Sequence, residues 1–199
     1  MVDSEAQEYK MLDLFFGKKY PKSVCVFCGA SNDVPKIFLD MAYNIGKTLA
    51  ENNITMVYGG GNSGLMGASA TGCLEAGGKV IGVFPDILKG KEVEHLGLTE
   101  LIQVPTMHER KQIMYDKSEA FLILPGGIGT MDEAFETLTW RALGGHDKQI
   151  IIYDFMNYYE RLLKLLQSMI RHGLARNSVS QLFDVAHSEE EIFKLLKNN

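Results

Sequence analysis

Arg110 and Glu133 are two charged side chains that could carry chemistry, and each has a plainer structural reading beside it. The segment PTMHERKQIMYDKSEA has helical period, and Met107, Arg110 and Met114 recur at intervals of three and four on one stripe. A guanidinium among apolar positions needs an anionic partner, because burying it unpaired costs several kcal/mol, of order ~3 to 5. Glu109 and Lys117 read instead as a solvated run. In the helix that follows Thr130, Met131, Ala134, Phe135, Leu138 and Ala142 share one face. Glu133, Glu136, Thr137 and Trp140 share the other, so Trp140 needs cover from outside its own helix. A carboxylate at Glu133 is of a type that serves in general acid–base catalysis. It can also be a simple cap, since Thr130 to Glu133 spells T-x-x-E, in which the carboxylate satisfies a backbone N–H. Both roles are open on these grounds.

Two glycine loops accompany these residues. YGGGNSGLMG follows the apolar run TMVY and leads into a helix at about Gly64, with Gly59, Gly61 and Gly64 spelling GxGxxG and Asp86 standing where a ribose-binding acid would lie in a dinucleotide fold. LPGGIGTMDE again joins a strand, AFLIL, to a helix. Glycines let a backbone approach a phosphate, and the first N–H groups of a helix favour an anion by up to ~2 kcal/mol. Tight strand-to-helix turns need glycines too. Two such loops at strand C-termini favour a phosphate or nucleotide site.

Other reactive residues carry less. Cys25 and Cys28 form a CxxC inside an extended run, where a separation of three points them to opposite faces; a redox pair sits at a helix N-terminus, so packing is their expected role, as for Cys73. The five histidines show no metal-ligand spacing, and only His108 lies beside the candidate site. No lysine stands in a context that marks it for a Schiff base. Neither a metal nor an organic cofactor is expected.

The elements that must position these residues alternate. Strand-like runs at Ser23 to Phe27, Thr55 to Tyr58, Lys79 to Phe84, Glu100 to Val104, Ala120 to Leu124, Gln149 to Tyr153 and Leu182 to Val185 are separated by helical segments. Pro35 opens a helix with Ile37, Met41, Ile45 and Leu49 on one stripe, Asn157 is suited to cap a helix through Ile170, and Ser188 with Glu191 forms a capping box for the last one. Runs apolar on both faces imply a parallel sheet covered on both sides. The expected fold is therefore α/β: a Rossmann-like, doubly wound parallel sheet with helices on both faces, in a single domain over residues 23–199. Residues 1–22 read as an appended helical extension.

With 199 residues, 46% of them hydrophobic, the chain can bury a full core in one unit. A net charge of −5 argues against bulk nucleic-acid or acidic-membrane binding, so any anion site must be local. No run approaches a membrane span, and the N-terminus lacks the basic-then-apolar pattern of a secretory signal. Three cysteines, an odd number, make no disulfide framework, so a cytoplasmic location is expected.

VFCGAS at 26–31, GGGNSGLMG at 59–67, MHERK at 107–111, PGGIGTMDE at 125–133 and TW at 139–140 together resemble, in order and spacing, the LONELY GUY (LOG) family of cytokinin riboside 5′-monophosphate phosphoribohydrolases, often mislabelled lysine decarboxylases. The resemblance spans roughly residues 23–186. It implies hydrolysis of the N-glycosidic bond of a purine nucleoside 5′-monophosphate to free base and ribose 5-phosphate, in a homodimer without pyridoxal phosphate. It implies Arg110 and Glu133 as the catalytic pair. Substrate contacts are implied at Glu92, Lys111, Thr139, Gly60 and Met107, and along Gly127, Ile128, Gly129, Thr130, Met131 and Asp132. TMDE stands where TLEE is usual, and GGHDKQ replaces the commoner GIHNKP.

Two other readings compete. A non-catalytic nucleotide or molybdenum-cofactor carrier resembles this chain in fold and in the PGGxGT loop; the presence of both Arg110 and Glu133 distinguishes an enzyme. An NAD-dependent oxidoreductase rests on GxGxxG and Asp86 but leaves the second loop unexplained.

Overall fold

The computed structural model describes residues 19–90 and 92–197. Seven strands form one parallel sheet: β1 (Ser23–Phe27), β2 (Thr55–Tyr58), β3 (Val80–Pro85), β4 (Glu100–Val104), β5 (Ala120–Ile123), β6 (Gln149–Tyr153) and β7 (Asp184–Ala186). Their spatial order is β4-β3-β2-β1-β5-β6-β7. The chain winds outward from β1 to β4, returns to pair β5 with β1, and winds out the other way. The reversal between β1 and β5 opens a crevice at the carboxyl ends of the strands, where sheets of this kind bind ligands.

The helices divide between the faces as the two-residue period of the strands requires. Val24, Val26, Met56 and Leu122 point into one core with α1 (Lys36–Glu51), α2 (Gly64–Glu75) and α6 (Glu189–Lys197). Cys25, Phe27, Val57, Phe121 and Ile123 point into the other with α3 (Met107–Asp116), α4 (Ile128–Ala142) and α5 (Glu160–Arg171). Cys25 and Cys28 thus lie in opposite cores, both buried, and burial raises both thiols well above their ordinary range. They pack, as expected from their spacing.

Most expected boundaries hold to within a residue or two, with instructive exceptions. The third strand starts at Val80 and the last runs Asp184–Ala186, because pairing to a neighbour, and not apolarity, sets strand ends. Asn157 does not cap α5: it sits at φ 59° in a short turn at Phe155–Asn157, and the helix begins at Glu160. Ile37 is half exposed, while Met41, Ile45 and Leu49 of its stripe are buried. In α4, Ala134 and Leu138 reach the core as expected, but Phe135 is 37% exposed and Ala142 is exposed. The helix has rolled so that Glu133 and Thr137 turn inward toward α3. Ser188 does cap α6, its hydroxyl accepting from Glu191 N–H, while Glu191 reaches back to His187 N–H. The proposed helical extension at 1–22 falls largely outside the described residues. Among the described residues, no helix is long and apolar enough to cross a membrane.

Candidate active site

The two glycine loops lie at the carboxyl edge of the sheet, yet they do different work. At the start of α2 every early N–H is taken by the protein itself: Gly64 donates to Asn32 Oδ1 at 2.7 Å, and Leu65 and Met66 both donate to Gly29 O. Gly64 has φ +57°, and a β-carbon there would strike Ser31 O at 2.5 Å. This helix end is closed to an anion. Asp86, the candidate ribose ligand, is exposed and pairs with Lys89 at 2.7 Å. The helix behind the first loop therefore offers no free N–H to a phosphate, and the dinucleotide reading loses its support.

At the start of α4 the N–H groups of Gly127, Ile128, Gly129 and Thr130 have no partner among the described residues, and no side chain caps the helix. A β-carbon at Gly127 or Gly129 would meet nothing within 4 Å. Protein packing does not require these glycines; a ligand approaching the backbone would. Gly126 is different, since a β-carbon there would lie 2.1 Å from Thr130 Oγ1. Gly127 is the N-cap, which puts Thr130 inside the first turn of α4. The T-x-x-E box therefore does not form, and the Glu133 carboxylate is free of capping.

That carboxylate meets Arg110. Arg110 Nη1 lies 3.4 Å from Glu133 Oε1, with both side chains at most 10% exposed. The guanidinium is fixed from below: Nε donates to Val83 O and Nη2 to Gly59 O, each at 3.2 Å. Burial raises the Glu133 pKa to about 7, with Arg110 opposing the rise and the neighbouring Asp132 adding to it. Beside the pair, Lys111 Nζ bridges Asp132 at 3.1 Å and Glu136 at 3.0 Å. Burial alone would lower the Lys111 pKa, but these two carboxylates raise it, so Lys111 stays an ammonium and makes a poor Schiff-base nucleophile.

A groove of about 120 Å³ between α3 and α4 runs from Glu133 past His108, Lys111 and Thr137 to Tyr115 and Trp140, floored by Phe27 and Phe121. A second crevice of about 380 Å³ lies on the other side of the second glycine loop, between Gly29–Pro35 and Gly126–Gly127.

The fold thus gathers Arg110, Lys111, Asp132, Glu133 and the 127–130 loop. Met107 opens α3, half-buried, and Met131 packs on the core below α4. Glu92 stands over the first loop, Oε2 lying 3.4 Å from where a Gly61 β-carbon would be. Gly60 is buried against Phe84, with its carbonyl taken by His95 N–H. Thr139 is not brought to the cluster: it is exposed, and eleven residues past Ile128 along α4 is about 16 Å. Sequence reasoning missed Tyr158 and Tyr159, whose hydroxyls donate to Gly126 O and Leu124 O of the second loop. The consecutive tyrosines beyond the sixth strand were the available signal.

Comparisons with known proteins bear on the family and the fold. Residues 66–196 match the family model described as "Possible lysine decarboxylase". A probable cytokinin riboside 5′-monophosphate phosphoribohydrolase of Oryza sativa subsp. japonica is 38% identical over 176 residues, 88% of this chain and 72% of that protein. The cytokinin riboside 5′-monophosphate phosphoribohydrolase of Rhodococcoides fascians is 43% identical over 154 residues, covering 77% of this chain and 78% of that one. Among solved structures, the molybdenum cofactor binding protein of Rippkaea orientalis superposes with a TM-score of 0.66 at 21% identity, over 91% of this chain and 97% of that one; this likeness concerns the fold. A family model that spans most of the chain and relatives this similar over most of its length establish that the chain belongs to the LOG family.

Proposed function

We propose that this protein hydrolyses the N-glycosidic bond of a purine riboside 5′-monophosphate, releasing free base and ribose 5-phosphate, as the names of its LOG relatives state for them. The observation that carries the reading is the buried Arg110–Glu133 pair next to a helix N-terminus with free N–H groups. The 5′-phosphate sits on the N–H groups of Gly127 to Thr130, with Lys111 and Asp132 at the rim. Five residues along α4, about 7.5 Å, brings the Glu133 carboxylate level with the ribose. As the bond from C1′ to the base nitrogen breaks, positive charge develops on the ring. Glu133 stabilises that charge and takes a proton from the water that attacks C1′; the base leaves with the bonding electrons and gains a proton. Arg110, held by two carbonyls, orients the carboxylate and keeps it partly ionised at neutral pH. Glu92, Gly60, Met107 and Met131 are secondary candidates for substrate contact.

A carrier without chemistry has no use for a carboxylate buried against an arginine and held near neutrality, so this pair favours the enzyme over the carrier. The experiment is direct. Purified protein incubated with AMP and with isopentenyl-AMP, with and without chelator, is expected to release free base and ribose 5-phosphate with no added cofactor. No free base from either nucleotide would refute the proposal.

We assign residues 23–199 to one nucleotide-binding unit that works as a cytoplasmic homodimer. Exposed Ile128, Leu143 and Trp140 on and just beyond α4 supply an apolar surface that a second copy would cover. Light scattering of the unliganded protein at micromolar concentration is expected to give twice the chain mass; a monomer would contradict it.

A further inference from the structure

An anion cradle made of backbone N–H groups works only if the carbonyl dipoles of the same loop are occupied elsewhere, because a free carbonyl oxygen turned toward a phosphate repels it. Here each carbonyl from Leu124 to Gly127 has a donor. Leu124 O accepts from Tyr159 Oη at 2.7 Å, Pro125 O from Gly29 N at 3.1 Å, Gly126 O from Tyr158 Oη at 2.7 Å and Gly127 O from Met131 N at 3.0 Å. Two of the four donors are backbone groups that the fold supplies in any case. The other two are the adjacent hydroxyls of Tyr158 and Tyr159. We propose that these tyrosines are positioning residues: by binding the carbonyls of Gly126 and Leu124 they hold the second glycine loop with its N–H groups free for a phosphate.

The route to this arrangement is strained. Neighbouring residues on a helix diverge, so both rings can reach one loop only from a turn ahead of α5. That turn holds Met156 and Asn157 at φ 55° and 59°, two successive non-glycine residues in the left-handed region. Asp154, 4% exposed, fixes the turn: its Oδ1 accepts from Tyr159 N–H at 2.6 Å and its carbonyl from Asn157 N–H. Phe38 closes the far side, with its ring packed edge-on against Phe155 and Tyr158. The strain is maintained at the turn that feeds two hydroxyls to the candidate phosphate loop.

The inference rests on the reading of this loop as the phosphate cradle, and the test separates the two. Tyr158 is 47% exposed, so Tyr158→Phe keeps the ring and lets water reach Gly126 O, leaving the fold intact. In the full-length chain this variant is expected to raise the Kd for ribose 5-phosphate and the KM for AMP roughly tenfold, while kcat stays within about twofold and the Ki of adenosine, which lacks the phosphate, does not move. A general structural defect would weaken adenosine as well. Unchanged binding of ribose 5-phosphate by Tyr158→Phe, or equal weakening of adenosine, would overturn the positioning role. If the wild type binds ribose 5-phosphate but releases no base from AMP, the hydrolase reading fails and the binding measurement still decides the tyrosines. If the wild type binds no phosphate compound, cradle and clamp fall together.

Discussion

A β-carbon at Gly59 would lie 1.8 Å from Nη2 of Arg110 and 3.3 Å from Met66 Sδ, so the first glycine loop is shaped around the guanidinium. The absent side chain makes the space, and the Gly59 carbonyl supplies one of the arginine's hydrogen bonds. Gly59→Ala is therefore expected to displace Arg110 from Glu133. Overpacking of this kind costs about 1 to 3 kcal/mol, and kcat on AMP should fall by at least roughly 100-fold, the scale of losing one positioned charged group. Denaturant melts with steady-state kinetics on the same preparation check both; wild-type turnover from Gly59→Ala would separate the loop from the site.

Glu133→Gln tests the carboxylate itself. The amide keeps the size and removes the negative charge, so turnover of AMP should drop by roughly 10²- to 10⁴-fold while ribose 5-phosphate still binds. A kcat within a few-fold of wild type, in a protein shown to be folded, would leave Glu133 without a catalytic part.

Burial holds the Glu133 pKa near 7, far above that of a solvated glutamate, and this has consequences for activity and for stability. If the ionised form is the active one, kcat/KM for AMP should climb with pH and level off above about 7. Asp132 raises the Glu133 pKa, so Asp132→Asn should carry that limb to lower pH. A pH-rate profile identical in both proteins would remove Glu133 from the titration.

Because the folded state favours the protonated acid, the stability associated with Glu133 is full below the unfolded-state pKa near 4.5 and declines as pH rises through about 7. The decline is on the order of 3 kcal/mol. Urea melts from pH 4.5 to 8 should show it in the wild type and a flatter course in Glu133→Gln.

Gly129→Ala should separate stability from function. Gly129 lies in the first turn of α4, and a β-carbon there meets no protein atom. Alanine is the better helix former by up to about 1 kcal/mol, so Tm should hold or rise. The methyl nonetheless stands where a phosphate would approach, and the KM for AMP should increase severalfold. Unchanged AMP kinetics would mean that the ligand does not reach this part of the loop.

Much of the architecture was present in local pattern. The alternation of two-residue and helical periods specified a parallel sheet covered on both faces, since β1 and β5 have no polar side to expose. Arg110 on an apolar stripe required a buried anion, and Cys25 and Cys28, three apart on a strand, had to enter different cores. Local pattern could not separate the two glycine loops, because both read as strand, glycines, helix. Only the tertiary structure brought Asn32 and Gly29 from another loop to occupy the N–H groups of α2, and left those of α4 open. Nor could four residues of sequence tell a capping box from a catalytic carboxylate. The choice depended on where α4 begins, at Ile128 after Gly127, and on the approach of α3, which puts Arg110 within 3.4 Å of Glu133. The tyrosines behind the phosphate loop were invisible for the same reason: their partners lie more than thirty residues away, and hydrogen bonds at that separation are set by the path of the chain through space.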